Sequence, residues 1–122
     1  MHIDELQAYC ESKKAVTVSM PFDQDVLVFK VMNKMFCLTS LKSWEENSPR
    51  INVKCDPEIA LNLREQFPET VTGGYHMDKK SWNTILINQD IPDDKILHWI
   101  NHSYDLIVAK LTRKDREFLN NL

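Results

Sequence analysis

Glycine is nearly absent from this chain: Gly73 and Gly74 are the two in 122 residues. This excludes the Gly-rich phosphate loops, whose GxGxxG and GxxxxGKS patterns need glycines at several spacings. Long apolar runs are absent as well, and none approaches the roughly 20 residues of a membrane-spanning helix. Cys10, Cys37 and Cys55 form no CxxC pair, and an odd set makes no closed disulfide framework. Cys37 and Cys55 lie in apolar, strand-like runs, where a free thiol behaves as a small hydrophobe. A reducing, cytoplasmic setting is the simplest expectation. The opening Met-His-Ile-Asp-Glu has no basic region followed by an apolar one, so no signal peptide is expected. An excess of positive charge is also missing, since the net charge is −3. Phosphate neutralisation over a whole surface needs surplus Lys and Arg, so indiscriminate nucleic-acid binding is excluded, whereas a local basic face is not.

What is present is an ordinary globular content. Hydrophobic residues make up 43% of the chain, enough for one core, and the length suits a single domain over residues 1–122. Residues 3–14 place Ile3, Leu6, Tyr9 and Cys10 at helical spacing, with acids early and lysines late, which predicts an amphipathic helix. Val16 to Met20 reads as a strand stopped by Pro21. Val26 to Val31 and Lys34 to Ser40 read as two strands joined at Met32-Asn33, because asparagine tolerates the left-handed backbone of a tight hairpin. Trp44 to Pro49 reads as a loop. Arg50 to Cys55 alternates, with Ile51, Val53 and Cys55 on one face and Arg50, Asn52 and Lys54 on the other, as a half-buried strand does. Asp56-Pro57-Glu58 is the strongest helix start: a cap, a proline at the first helical position and an acid at the positive dipole end. Ile59, Leu63 and Phe67 form the buried stripe of that helix, which Pro68 ends.

The glycine pair then predicts a sharp turn that presents Tyr75 to Lys80 before a strand over Trp82 to Ile87. Pro92-Asp93-Asp94 opens another helix. Ser103 is expected to cap a new helix through Leu111, and Thr112 with Asp115 to open a last one to about Leu119. The order of elements predicts an α+β fold: a mostly antiparallel sheet of about five strands with helices packed on one face.

Three blocks together resemble the MmcQ/YjbR family. They are Val28-Phe29-Lys30-Val31 through Lys34-Met35-Phe36; Ile51 through Glu58; and Gly74-Tyr75-His76-Met77-Asp78-Lys79-Lys80-Ser81-Trp82-Asn83-Thr84, followed by His102-Ser103-Tyr104-Asp105-Leu106-Ile107. Pro21-Phe22 also fits, so the resemblance covers nearly the whole chain. It implies a compact α+β domain, superficially similar to bacterial frataxin (CyaY-like), and a DNA-binding role through a double-wing arrangement. The Met32-Asn33 turn departs from the glycines common in the family at that hairpin.

Tyr75, His76, Lys79, Lys80, Trp82 and Asn83 form the best constellation for such a contact. Lysines meet phosphates, aromatic rings stack on bases, and asparagine reads a base edge. The same residues have a structural reading, in which Trp82 packs beneath the loop, His76 satisfies backbone carbonyls and the lysines are solvated. Lys110 and Arg113, with Lys114 and Arg116, make a second basic cluster diluted by Asp115 and Glu117. Lys30, Lys34, Arg50 and Lys54 fall on outward sheet faces. His98 and His102 share a helix face with Asp105 close behind, but two imidazoles do not complete a metal site, so no metal or other cofactor is expected. Ser103-Tyr104-Asp105 reads as capping rather than acid–base chemistry, and no enzyme is expected. The sequence thus predicts a monomeric binding protein, with DNA as the first partner. The rival is a protein-interaction or small-ligand module with a pocket near Trp82, Trp44 or Trp99 and no continuous positive surface.

Overall fold

The computed structural model describes all residues, Met1–Leu122, as an α+β domain. The elements are α1 (Ile3–Glu11), β1 (Val16–Ser19), β2 (Val26–Val31), β3 (Lys34–Ser40), α2 (Leu41–Glu45), β4 (Arg50–Lys54), α3 (Pro57–Gln66), β5 (Val71–Gly73), β6 (Trp82–Leu86), α4 (Asp93–Ala109) and α5 (Arg113–Asn120). The strands form one sheet of six in the order β1-β2-β3-β4-β6-β5, antiparallel throughout.

Local chemistry explains most of the boundaries. Met32 and Asn33 both take positive φ, 48° and 65°, which gives the hairpin the backbone twist that matches its strands. The Asp56 side chain accepts from the Glu58 and Ile59 amides, with Pro57 at the first position of α3. The Thr112 hydroxyl accepts from the Asp115 amide and opens α5.

The helices lie on one face of the sheet. α4 runs across β2, β3 and β4, α1 rests on β1, and α3 covers β5 and β6. The main core fills the space between, with Leu6, Phe29, Val31, Phe36, Ile51, Val53, Ile85, Ile96 and Ile100 at its centre. Arg50, Asn52 and Lys54 point the other way, as their alternation with Ile51 and Val53 requires. On that second face a smaller cluster of Val28, Leu38 and Trp82 gathers Val26, Met35 and Met77.

Three expectations need correction, and the sheet is one strand larger than the five or so expected. The sheet has six strands, because Val71–Gly73 pairs with β6 at its edge; three residues are too short to show alternation. Leu41–Glu45 is a short helix, capped by the Ser40 hydroxyl accepting from the Ser43 amide, so Trp44 and Glu45 are not loop. α4 runs unbroken to Ala109, and Ser103 caps nothing. Its hydroxyl donates to the Phe36 carbonyl at 2.6 Å and accepts from the Lys54 amide at 2.9 Å, serving backbone groups at the ends of β3 and β4. Finally, neither glycine takes positive φ; the left-handed residue of that loop is His76, with φ 58°. Gly74 is needed for closeness, because a Cβ there would meet the Trp82 Cβ at 2.7 Å.

Candidate ligand groove and the Tyr75–Asn83 segment

The segment between β5 and β6 is folded tightly onto the end of the sheet. Gly74 donates its N–H to the Trp82 carbonyl at 2.8 Å, and the Asp78 carbonyl takes the Ser81 and Trp82 amides. The Asp78 carboxylate takes the Lys80 amide, and the Tyr75 amide donates to Thr84 Oγ1. From α3, the Arg64 guanidinium donates to the carbonyls of Lys79 and Trp82 and to Asn83 Oδ1. The backbone of this segment is therefore held from three sides.

This geometry divides the sequence-predicted site residues. Tyr75, His76, Lys79 and Lys80 are exposed, and neither lysine forms an ion pair. Trp82 is 9% exposed and packs with Val28 and Leu38. Asn83 is fully buried, with its Oδ1 on Arg64 and its Nδ2 on the Ala60 carbonyl. Trp82 and Asn83 are thus frame, not contact, because their strand positions turn them into the packed regions on either side of β6. Arg113 is engaged at 3.0 Å with Glu117, one helical turn along α5. Lys110 approaches Lys54: burial first, then the Lys110 charge, hold the Lys54 ammonium below its ordinary range, with Asp78 opposing. The basic residues that come together are therefore Lys54 and Lys110, at the sheet end where Lys54 pairs with Trp82.

His98 and His102 share a helix face as spaced, but His102 Nε2 accepts the Asp56 N–H at 3.2 Å. Burial and the His98 charge lower the pKa of His102, so the neutral ring is the favoured form. The Tyr104 hydroxyl donates to the Lys14 carbonyl at 2.8 Å, so it ties α4 to the turn between α1 and β1.

A feature that the sequence reading missed lies on the open face of the sheet. A groove of about 500 Å³ runs across β2, β3, β4 and β6. The β1–β2 loop, with Phe22, Asp23 and Asp25, forms one wall, and Tyr75, His76 and Met77 form the other. Phe22 and Tyr75 are 63% and 65% exposed, and the Tyr75 and His76 rings lie 4.0 Å apart by their centres. Arg50 and Asn52 stand on the floor beside Thr84. Asp25 is fixed: its carboxylate accepts from the Ser40 hydroxyl at 2.7 Å and the Lys42 amide at 2.8 Å. Those bonds hold its pKa below the usual carboxylate range, with smaller help from the charges of Lys42 and Arg50. One signal for the groove stands in the sequence: the outward face of the alternating Arg50–Cys55 strand carries Arg50 and Asn52. The wall that meets it, Pro21-Phe22-Asp23, is distant along the chain.

Fold and site together define a small α+β domain whose antiparallel sheet carries helices on one face and a ligand-sized groove on the other. The chain belongs to the YjbR family, whose model matches residues 11–106. It is 30% identical over 122 residues to the uncharacterised protein YjbR of Escherichia coli (strain K12), with both chains covered in full. It is 33% identical over 102 residues to the uncharacterised protein YbdF of Escherichia coli O157:H7, covering 84% of this chain and 80% of that one. The crystal structure of Deinococcus radiodurans DR2400, a DUF419 domain, superposes with a TM-score of 0.88 at 31% identity, covering 98% of this chain and 88% of that one. A protein from Pseudomonas syringae shares the fold at TM-score 0.69 and 21% identity, over 87% of this chain and 98% of that one.

Proposed function

We propose that this protein is a non-enzymatic binding module that takes a small ligand in the groove on the open face of its sheet. The observation that carries the reading is the groove itself: about 500 Å³, with an exposed aromatic ring on each wall. Small-molecule sites commonly occupy about 300–1,000 Å³ and combine apolar walls with few, fixed polar groups. Val26, Leu38 and Met77 supply the apolar part, and Arg50, Asn52 and Thr84 the polar part. The acids at the rim are already bonded, Asp23 to the amides of its own loop and Asp25 to Ser40 and Lys42 at the β3–α2 junction, which favours holding a ligand over proton transfer.

The test is a fragment screen on the ¹⁵N-labelled protein, followed by amide shifts. Saturable shifts should cluster at Leu38, Ser40, Asn52 and Met77, and Tyr75→Ala should weaken them. Fragments that bind elsewhere, or none that bind at millimolar concentration, defeat the proposal.

DNA binding is the second reading, favoured by one observation: Lys54 and Lys110 converge while Lys79 and Lys80 stand free of ion pairs on the loop that leads to Trp82. Four cations on one sheet end are a small phosphate footprint on a chain of net charge −3. Fluorescence anisotropy with a short labelled duplex separates the two readings. Binding at low salt that weakens steeply with salt, and is lost in Lys79→Ala/Lys80→Ala, supports DNA. Binding unaffected by those changes removes it.

A further inference from the structure

We infer that the groove selects a small aromatic monocarboxylate, its carboxylate on Arg50 and Asn52 and its ring between Phe22 and Tyr75. This rests on the reading of the groove as a ligand site and names the ligand class.

The hydrogen bonds on the floor leave donors, the Asn52 NH₂ and the Arg50 guanidinium, without partners. Thr84 Oγ1 already accepts from the Tyr75 amide, so its proton goes to Asn52 Oδ1. A carboxamide whose oxygen is taken presents its NH₂, which donates only. Two residues earlier on the same face of β4, Arg50 is exposed and forms no ion pair. A guanidinium fork beside an amide NH₂ matches a carboxylate, which accepts two parallel N–H bonds.

The charges nearby set the valence of the anion. Asp23 Oδ1 accepts the Asp25 and Val26 amides, and both Asp25 oxygens are bonded, so both acids are held in place at the rim. A dianionic phosphate would meet one cation and two carboxylates. A monocarboxylate meets the same groups with half the charge, so the two acids repel it less and the one cation suffices to pair it. The size of the groove and the exposed rings on its two walls set the rest of the ligand: a flat apolar body stacks on aromatic faces without needing a hydrogen bond of its own.

The test uses the full chain and three probes, 1-naphthoate, 1-naphthalenemethanol and adenosine monophosphate, followed by ¹⁵N amide shifts and calorimetry. Naphthoate should bind saturably, shift the Leu38, Ser40, Asn52 and Met77 amides, and exceed the alcohol about tenfold, the scale of a hydrogen bond to a charged group. Arg50→Gln should remove that advantage, weakening naphthoate about tenfold and the alcohol much less. Phe22→Ala/Tyr75→Ala should weaken acid and alcohol alike. Equal affinity for acid and alcohol, or an Arg50→Gln variant that binds naphthoate as the parent does, overturns the carboxylate assignment while the groove reading stands. Tighter binding of the nucleotide overturns it in favour of a phosphate. No shift at the groove amides with any probe overturns both this inference and the groove reading for aromatic ligands.

Discussion

Arg64 Nε, on the third turn of α3, donates to Asn83 Oδ1 in β6 at 2.7 Å, across 19 residues of chain. The same guanidinium reaches the Lys79 and Trp82 carbonyls, and Asn83 Nδ2 returns to the Ala60 carbonyl on α3. One ion thus ties a helix, a strand and the loop that carries Tyr75 and His76. Because Asn83 is fully buried, removing its partner strands a polar atom away from water.

Arg64→Ala is therefore expected to destabilise the domain by about 1–3 kcal/mol, the cost of an unsatisfied buried acceptor. Asn83→Leu should cost a similar amount. Urea unfolding of both single variants and the double variant gives the coupling. The double variant should lose clearly less than the two singles together, because each single strands the other's partner. Simple additivity would show that the bond does not couple helix to strand.

The glycines offer a paired test. At Gly74 a methyl group would lie 2.7 Å from the Trp82 Cβ and 3.1 Å from the Met77 Cβ, both close to fixed backbone. At Gly73 it would meet only the stem of Lys79, at 3.1 Å, which can swing aside. Gly74→Ala should cost about 1–3 kcal/mol as overpacking, and Gly73→Ala much less. Equal effects in thermal melts would mean that closeness to Trp82 is not why glycine stands at 74.

This pair also shows what could be read from sequence and what could not. The Met32-Asn33 hairpin, the Asp56-Pro57 helix start and the two-sided Arg50–Cys55 strand were legible, because each depends on neighbours in the chain. Gly74, Ser103 and Arg64 were not. Each is determined by a tertiary contact that local sequence rules do not encode: the close approach of Trp82, the Phe36 carbonyl and Lys54 amide, and Asn83. For the same reason Tyr75 and His76 were found as surface residues, whereas the wall opposite them, 53 residues before Tyr75 at Phe22, was not.

Ser103 tests the same point inside α4. Its hydroxyl serves the Phe36 carbonyl and the Lys54 amide together. Ser103→Ala should cost about 1–3 kcal/mol despite the high helix propensity of alanine, since both strand groups lose a partner. Hydrogen exchange at the Lys54 amide should quicken in the variant. A stabilised variant with unchanged Lys54 protection would show that water replaces the hydroxyl at no cost.

His102 makes stability depend on pH. Its Nε2 accepts the Asp56 amide, and burial, then the charge of His98, lower its folded pKa against the pull of Asp56 and Asp105. The Trp99 ring packs edge-on against it, 5.5 Å between centres. The unfolded chain binds the proton at the ordinary value near roughly 6.5, the folded chain only at lower pH. Between the two values the unfolded state holds more protons, so stability falls as the pH drops through that window and is fully present above it. Urea midpoints at about pH 7.5 and about pH 5.5 should differ more in the parent than in His102→Gln. An equal difference in both would assign the pH dependence to other groups.

Thiol reactivity should report two kinds of opening. Cys10 and Cys37 are fully buried between α1 and β3, and the Cys10 contact and burial push the Cys37 thiol well up. Cys55 is raised by burial to about 11, so at neutral pH its thiolate is a trace species. Its position differs from that of the other two: its amide donates to the Ser81 carbonyl at 2.8 Å, the last link between β4 and the Tyr75–Ser81 loop. Cys55 belongs to the same core as Cys10 and Cys37, but it sits at the end of β4 close to the Arg64 charge, so loosening the loop and the α3 tie opens its corner of the core, whereas Cys10 and Cys37 require α1 to leave the sheet. Labelling with a disulfide reagent should therefore modify Cys55 first, faster in Arg64→Ala where the loop has lost its tie, and Cys10 with Cys37 only at the rate of global unfolding. If all three thiols label together, in the parent and in Arg64→Ala alike, the loop and the core open as one unit and the tie from α3 does not set the local stability of the groove wall.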